Sequence, residues 1–196
     1  TFVVVKATST TTTTMKAVSD NSVVADGATV PIDTAMYDTA TLGSVTVDRS
    51  GTVTYNLYSG ATCTGPIFTS TKSFGAGEPI PPSDSYPFSS VGIYNWQVVY
   101  SGDARNLGST SNCGTETVTI AKTDPTISTD MRDGVGDSLP NRSIIALGST
   151  IYDTATLSGA SSIPTGTVTY TLYKSFLCTG TPFKTYGPFP LNPDGT

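Results

Sequence analysis

Histidine is absent from this sequence of 196 residues, tryptophan occurs once and cysteine three times. Without histidine the chain lacks the commonest general base and the commonest transition-metal ligand, which excludes Ser-His-Asp and Cys-His nucleophiles. Positive charge is also scarce, because 10 basic residues face 15 acidic ones and give a net charge of −5. A nucleic-acid partner needs a basic patch, so we expect none.

Long apolar runs are missing as well. No stretch approaches the roughly 20 apolar residues of a membrane helix. No charged start followed by an apolar stretch marks a signal peptide. We therefore predict a protein that is not an enzyme and that does not insert this segment into a membrane. We expect no cofactor, with calcium as the one candidate ion.

What the sequence does contain is a long internal repeat. Residues 37–65 return as residues 152–180, 115 positions later and without a gap, and 16 of the 29 positions are identical. A weaker copy precedes this one, since residues 6–16 match residues 122–132 at an offset of 116. Repetition at a domain-sized period predicts tandem modules.

The repeat predicts where the modules begin and end. We expect residues 6–121 to form a complete module and residues 122–196 part of a second, without counterparts of residues 82–121. Residues 1–5 resemble residues 117–121 and are interpreted as the end strand of a preceding module. The chain is then either a segment of a longer array or a subunit that exchanges strands with neighbouring copies, and we favour the array. Its expected partners are neighbouring copies or further modules of the same protein.

The local sequence pattern is β throughout. Runs of Thr, Val and Tyr are interrupted by Gly, Pro, Ser, Asp and Asn about every ten residues, the spacing of a sandwich or barrel. Alternation places Val53, Tyr55 and Leu57 on one face of a strand, and puts Trp96 at the centre of the buried face of another. The fold class is predicted as all-β, with tandem immunoglobulin-like sandwiches of about seven strands, the second incomplete. The strands expected in the first module are 8–14, 36–42, 52–58, 67–73, 86–90, 93–100 and 115–121.

The threonine run at residues 10–14 has two interpretations. It is either a flexible, glycosylated spacer or an edge strand at the start of a domain. Its counterpart, residues 126–130, is not of low complexity, which favours the strand.

The odd number of cysteines suggests a free thiol or an intermolecular bond if the chain is secreted. The repeat explains it more simply, because Cys178 is the copy of Cys63, and the copy of Cys113 would lie beyond residue 196. We predict a Cys63–Cys113 disulfide, the alternative being two unpaired thiols. Cys178 is then unpaired or bonded to a cysteine outside this segment. A disulfide implies an oxidising, extracellular compartment.

Alternation also points acidic side chains inward. Asp38 shares its strand face with Ala40 and Leu42, and its copy Asp153 lies on an equally apolar face. Glu116 falls on the apolar face of the last strand. A buried carboxylate is costly unless it is paired or hydrogen-bonded.

Two loops are candidate binding sites. Calcium takes six to eight oxygen ligands, and Asp130, Asp133 and Asp137 lie in an oxygen-rich stretch whose spacing does not match an EF-hand. The alternative is that these are solvated turn residues. Tyr86 and Phe88, in a proline-containing stretch, are the candidates for a ligand-binding loop.

The blocks YDTATL, PTGTVTYTLY, CTG, Y-x-W-x-x-x-YSGD and a CG before the last strand resemble the bacterial Ig-like repeat domains of large surface and secreted proteins. The first module carries every block in order and departs from the pattern at residues 45–50. The second matches only as far as CTG. This resemblance implies a structural or adhesive module of an extracellular protein.

The resemblance also implies a covalent cross-link, because bacterial surface domains of this kind carry intramolecular isopeptide bonds. In those bonds a lysine joins an asparagine or aspartate beside a protonated carboxyl group. The candidate set is Lys6 with Asn112, assisted by Asp38, or Lys6 joined directly to Asp38. The alternative is a buried Asp38 that accepts hydrogen bonds from backbone amides, with a solvated Lys6.

Three classes of function were compared. A structural module of an extracellular filament, fibre or cell-surface stalk is favoured, because the repeated residues belong to the scaffold and the loops have no distinctive features. The alternative is an adhesin module that binds a glycan or a cell-surface protein through its loops. An accessory segment of a secreted hydrolase lacks support, since nothing resembles a pair of catalytic carboxylates in a cleft.

Overall fold

The computed structural model describes residues 1–160 and 164–192. The chain is all-β, as predicted, and divides into two compact units, Thr1–Lys122 (unit 1) and Thr123–Thr196 (unit 2). The division falls one residue from the module boundary expected from the repeat. No described segment forms a helix that is long and apolar enough to cross a membrane.

Unit 1 is built from two sheets. The first has the order β1-β3-β6 and is antiparallel throughout. The second has the order β2-β9-β7-β4-β5, with β8 beside β7, and only β2 and β9 run parallel. The strands are β1 (Thr10–Ala17), β2 (Ala28–Pro31), β3 (Ala35–Gly43), β4 (Gly51–Ser59), β5 (Phe68–Phe74), β6 (Tyr86–Pro87), β7 (Gly92–Tyr100), β8 (Ser109–Thr110) and β9 (Thr117–Ala121).

The core of unit 1 lies between these sheets. Val53, Tyr55 and Leu57 on β4 are fully buried, as their alternation predicts, because every second side chain of a strand points to the same face. Trp96 on β7 is also fully buried. Each such side chain contributes roughly 1.5–3 kcal/mol on burial, so the sandwich rests mainly on apolar packing. From the first sheet, Met15 and Met36 join the same cluster.

The threonine run lies in β1, which pairs with β3 along its whole length and forms an edge of its sheet. The threonine run is therefore part of an edge strand and not a flexible spacer. β1 begins two residues later than expected and continues to Ala17, because the apolar Met15 turns inward and extends the pairing with β3.

Two short strands, β2 and β8, were not predicted, and the strands expected at residues 86–90 and 115–121 are shorter than expected. β2 pairs in parallel with the distant β9, and its sequence contains Pro31 and follows Gly27, which locally resembles a turn. β6 covers only Tyr86–Pro87 of the expected residues 86–90, because Pro87 has no N–H to continue a ladder.

Unit 2 contains the antiparallel pairs β10 (Thr126–Asp133) with β11 (Ile151–Ser158), and β12 (Thr167–Leu172) with β13 (Lys184–Pro190). The first pair repeats β1 and β3 in the same register: Met131 faces Asp153 as Met15 faces Asp38. The second pair corresponds to β4 and β5, with a shift of register between Val168 and Tyr170.

Residues 1–5 form no strand in this structure, and Phe2, Val3, Val4 and Val5 are all exposed. The interpretation of this segment as the end strand of a preceding module stays a prediction. Ordered pairing starts at Ala7, which bridges to Asn106.

Candidate functional site

The most unusual chemistry in unit 1 is a pair of buried carboxyl groups, Asp38 and Glu116. Asp38 lies on β3, the central strand of its sheet, and has no exposed surface. Glu116 directly precedes β9 in the opposite sheet and is 5% exposed. The backbone N–H of Trp96 donates to the Glu116 carbonyl oxygen at 3.0 Å, which holds Glu116 beside β7. The pair therefore joins the two sheets across the core.

Neighbouring backbone fixes Asp38 in place. Its Oδ1 accepts a hydrogen bond from the Thr14 N–H at 3.2 Å. Its own N–H donates to Ser83 Oγ at 2.8 Å, and the Ser83 N–H donates back to the Asp38 carbonyl oxygen at 2.9 Å. The side chain of Asp38 thus contacts β1, and its backbone contacts the loop before β6.

Burial shifts the protonation of both groups. Loss of solvent, together with the negative charge of Glu116, raises the pKa of Asp38 to about 9. Burial also raises the pKa of Glu116, to about 7, although hydrogen bonds from Thr13, Met15 and Asp38 favour its charged form. Asp38 therefore keeps its proton and donates it to Glu116.

The hydrogen-bond pattern supports this assignment. Asp38 Oδ2 and Glu116 Oε2 are both buried, and no N–H or other hydroxyl in the described part of the chain donates to either. A side-chain hydrogen bond between Asp38 and Glu116 gives these buried carboxyl groups the kind of partner that buried polar groups require. The sequence placed both side chains inward but did not pair them, because the pairing depends on how the two sheets face each other.

The structure does not bring the proposed isopeptide residues together. Lys6 is exposed, and its Nζ donates to the Asp103 carbonyl oxygen at 2.6 Å. Asn112 is exposed too, and its carbonyl oxygen accepts from Thr115 Oγ1 at 2.9 Å. Asp38 is sealed in the core and meets backbone amides and a carboxyl group. That arrangement matches the alternative in which a buried aspartate accepts from backbone N–H groups.

The predicted disulfide is confirmed. Cys63 and Cys113 are bonded, with their Cα atoms 5.9 Å apart and 50 positions apart in sequence. The bond ties the loop after β4 to the loop before β9. Cys178 is a free, exposed cysteine.

A second polar cluster, which the sequence did not predict, holds the turn after β7. Asp103 accepts hydrogen bonds from the N–H groups of Ser50, Arg105 and Asn106 at 2.7–2.9 Å, and these lower its pKa. Asn106 is fully buried, and its Oδ1 accepts from the Thr46 N–H. The cluster connects two distant loops, which is why no local pattern revealed it.

Two of the three calcium candidates, Asp133 and Asp130, have carboxylates that accept hydrogen bonds from other groups. Asp133 Oδ1 accepts from the N–H groups of Val135 and Asp137, closing a turn. Asp130 accepts from Ser138 Oγ and pairs with Arg132 at 2.9 Å. Among residues 1–160 and 164–192, no three acidic, histidine or cysteine side chains cluster as metal ligands would.

Both aromatic residues of the predicted ligand loop pack on the core. Phe88 has no exposed surface, and its ring stacks edge-on against Tyr86 and Tyr94 with centroids 5.0 and 4.9 Å away. Tyr86 is partly buried against the same cluster. A ligand at this loop therefore has no access to Phe88.

The chain matches no protein-family model, no curated protein and no solved structure.

Proposed function

We propose that this chain is a structural repeat module of an extracellular filament, fibre or cell-surface stalk, built from immunoglobulin-like units and without a catalytic role. The observation that carries the proposal is which residues the repeat preserves. Most identities fall in β3 and β4 and in their copies β11 and β12. The connecting residues 43–50 and 158–165 share no identity. Repeated strands with divergent connections suit a chain whose task is to extend.

The chemistry of unit 1 supports a scaffold more than a catalyst. Asp38 and Glu116 are closed off from solvent, so no substrate reaches the shared proton. The Cys63–Cys113 disulfide suits an oxidising compartment, where such bonds persist.

At the loop where the adhesin alternative places its site, Phe88 is buried and only part of the Tyr86 surface is exposed. A glycan array probed with the full chain tests it directly. Binding that disappears in Tyr86→Ala would favour the adhesin, since Tyr86 keeps part of its surface exposed.

Surface labelling tests the proposal itself. An antibody raised against unit 1 is applied to intact and to permeabilised cells of the source organism, alongside an antibody against a cytoplasmic protein. We expect the unit 1 epitope to be labelled on intact cells and the cytoplasmic control only after permeabilisation. Labelling of unit 1 that appears only in permeabilised cells would overturn the extracellular role.

A further inference from the structure

The second sheet of unit 1 carries an uncharged patch on the face that points away from the core. Every second side chain of β4, β5 and β7 points outward there, and the register aligns these residues in rows across the strands. The longest row crosses four strands and contains Thr71, Thr54, Val99 and Thr110. We call the following nine residues the hydroxyl face: Thr52, Thr54, Asn56, Thr69, Thr71, Ser73, Gln97, Val99 and Thr110.

Hydrogen bonds order the side chains of the hydroxyl face. The hydroxyl groups of Thr54 and Thr71 are hydrogen-bonded at 3.1 Å, and Thr69 Oγ1 donates to Asn56 Oδ1 at 3.0 Å. The Nδ2 group of Asn56 donates to no residue in the described part of the chain, so it is available to a ligand. A ligand that binds here therefore meets partners that have already lost much of their side-chain freedom.

The repeat preserves part of this face although the face lies outside the core. Thr52 and Thr54 on β4 return as Thr167 and Thr169 on β12. Packing of the core does not require a hydroxyl at these positions, because the side chains point away from it. The repeated unit therefore includes outward hydroxyl groups as well as buried residues.

Charge and hydrogen bonding restrict what the hydroxyl face binds. Six of its nine residues carry a hydroxyl and two carry an amide, and none is charged. It offers no basic group to an acidic polymer, which the net charge of −5 on the chain also repels. An apolar partner would bury these polar groups without hydrogen bonds, which is unfavourable. A neutral polymer rich in hydroxyl groups supplies donors and acceptors without a charge.

The size of the hydroxyl face argues against a second copy of this chain as its occupant. Four strands about 4.8 Å apart and three rows about 6.7 Å apart give an area of roughly 400 Å². A stable protein–protein interface buries about 800 Å² on each partner. A face of half that size suits a short stretch of polysaccharide that is bound weakly.

The shape of the face selects the kind of polysaccharide. A sheet face is open and has no groove, so an extended sugar chain contacts it along several residues, whereas a helical chain touches it at isolated points. Chains of β-1,4-linked hexoses are extended ribbons, and chains of α-1,4-linked hexoses are helical. The nine residues include no aromatic ring, and Tyr58, on the same side of β4, is only 6% exposed. The sugar is therefore held by hydrogen bonds and methyl contacts and not by ring stacking.

We infer that unit 1 binds an uncharged, extended β-1,4-linked polysaccharide through the hydroxyl face. One module binds with a Kd on the order of 1 mM, and a run of modules gains affinity because linked contacts act together. The inference deepens the proposed scaffold role, on which it rests for the compartment in which the polymer is met. It differs from the adhesin alternative, which places the glycan at a loop.

Affinity electrophoresis of the full 196-residue chain tests the inference. One gel contains hydroxyethyl cellulose, a neutral β-1,4-glucan derivative. Two control gels contain soluble starch, which is neutral and α-linked, or polygalacturonate, which is acidic. We expect migration to be slowed in the hydroxyethyl cellulose gel and to be unchanged in both control gels.

Two matched variants locate the binding site. Thr71→Glu puts a charge on the hydroxyl face and should lower the affinity for hydroxyethyl cellulose at least about tenfold. Thr12→Glu makes the same change at an exposed residue of β1 in the other sheet, and should leave the affinity within about twofold. The fluorescence of Trp96, which is fully buried, verifies that both variants remain folded.

An NMR titration with cellohexaose makes the test independent of any variant. We expect backbone amide signals of β4 and β5 to shift and those of β1 and β3 to stay unchanged. Absence of retardation by hydroxyethyl cellulose, or equal retardation in all three gels, would overturn the inference. Retardation that Thr71→Glu leaves unchanged contradicts it as well.

Self-association is the competing outcome for the hydroxyl face. Sedimentation that shows a dimer, and loss of that dimer in Thr71→Glu, would mean that a second copy covers the face and not a polysaccharide. Surface labelling of cells is independent of all these measurements, so the scaffold role and the polysaccharide site can fail separately.

Discussion

Burial of Asp38 is costly, because a carboxyl group without solvent must either lose its charge or find a partner. It does both, keeping a proton and donating it to Glu116. Other titratable groups face this pair: the Tyr55 phenol near Asp38, and Asp26 near Glu116. Burial raises the pKa of the Tyr55 phenol, which stays neutral, whereas Asp26 adds negative charge near Glu116. A proton kept on Asp38 therefore makes burial of the pair tolerable.

The shared proton predicts that unit 1 loses stability as the pH rises. Asp38 ionises near pH 4 when unfolded but keeps its proton to about pH 9 when folded, so the folded state binds more protons in between. The free energy of unfolding should therefore fall from about pH 4 to pH 9. Asp38→Asn keeps the hydrogen bond to Glu116 and removes this titration. The slope of the free energy of unfolding against pH should differ between the wild-type chain and Asp38→Asn by up to about 1.4 kcal/mol per pH unit. Urea unfolding at a series of pH values measures both slopes.

The control for this experiment is the copy of Asp38 in unit 2. Asp153 is exposed, and partial burial raises its pKa, but a group that water still reaches should change the pH profile less, so Asp153→Asn should have a smaller effect than Asp38→Asn. Parallel profiles for the wild-type chain and Asp38→Asn would contradict a shared proton in the core.

At the scale of elements, unit 1 is organised around β4 and β7. Both strands carry several fully buried side chains, and the disulfide joins the loop after β4 to the loop before β9. Cys63 follows β4, and Cys113 precedes β9, which pairs with the other edge of β7. The bond therefore closes the loop of chain that contains β5, β6, β7 and β8.

Removal of this disulfide predicts a large loss of stability. Closing a loop of 50 positions restricts the unfolded chain, which is worth about 4 kcal/mol in the chain-entropy model. The variant Cys63→Ala with Cys113→Ala should lose about that free energy of unfolding in a denaturant titration. Cys178→Ala is the matched control, and as an exposed free thiol it should change stability by less than about 0.5 kcal/mol. A loss below about 1 kcal/mol in the double variant would show that the loop is already restricted without the bond.

At the scale of the whole molecule, two copies of one sequence pattern have different environments. β4 lies inside a closed sandwich, whereas β12 borders an open cleft. Apolar burial is the main stabilising contribution to folding, so the same residues should be held far less firmly in unit 2.

Hydrogen exchange measures this difference with an internal control. Residues 52–55 and 167–170 share the sequence TVTY, so their intrinsic exchange rates are nearly equal. We expect the amides of β4 to exchange at least about a hundredfold more slowly than those of β12, a difference of about 2.7 kcal/mol in opening free energy. Equal protection of the two segments would mean that unit 2 is as stable without a strand along β12 as unit 1 is with β7.

Much of unit 1 could be predicted because its signals are local. Alternation along residues 52–58 and 93–100 identified the buried faces of Tyr55 and Trp96, since a strand side chain must point to one face or the other. The short β2 was missed because its stability comes from a parallel partner 90 positions away and not from its own residues. Phe88 was misjudged for the opposite reason: its loop resembles an exposed segment, but its ring packs inside.

The sequence by itself determined the β class, the repeat and its period, the Cys63–Cys113 bond and the inward direction of Asp38. Each follows from the spacing of residues along the chain. Alternation gives the face to which a strand side chain points, and the offset between copies gives the period of the repeat. Only the tertiary structure decided that Asp38 meets Glu116 and that Lys6 contacts the Asp103 carbonyl oxygen. Those outcomes depend on which strand faces pack against each other in the folded chain. No local sequence pattern encodes contacts between segments that are distant in sequence.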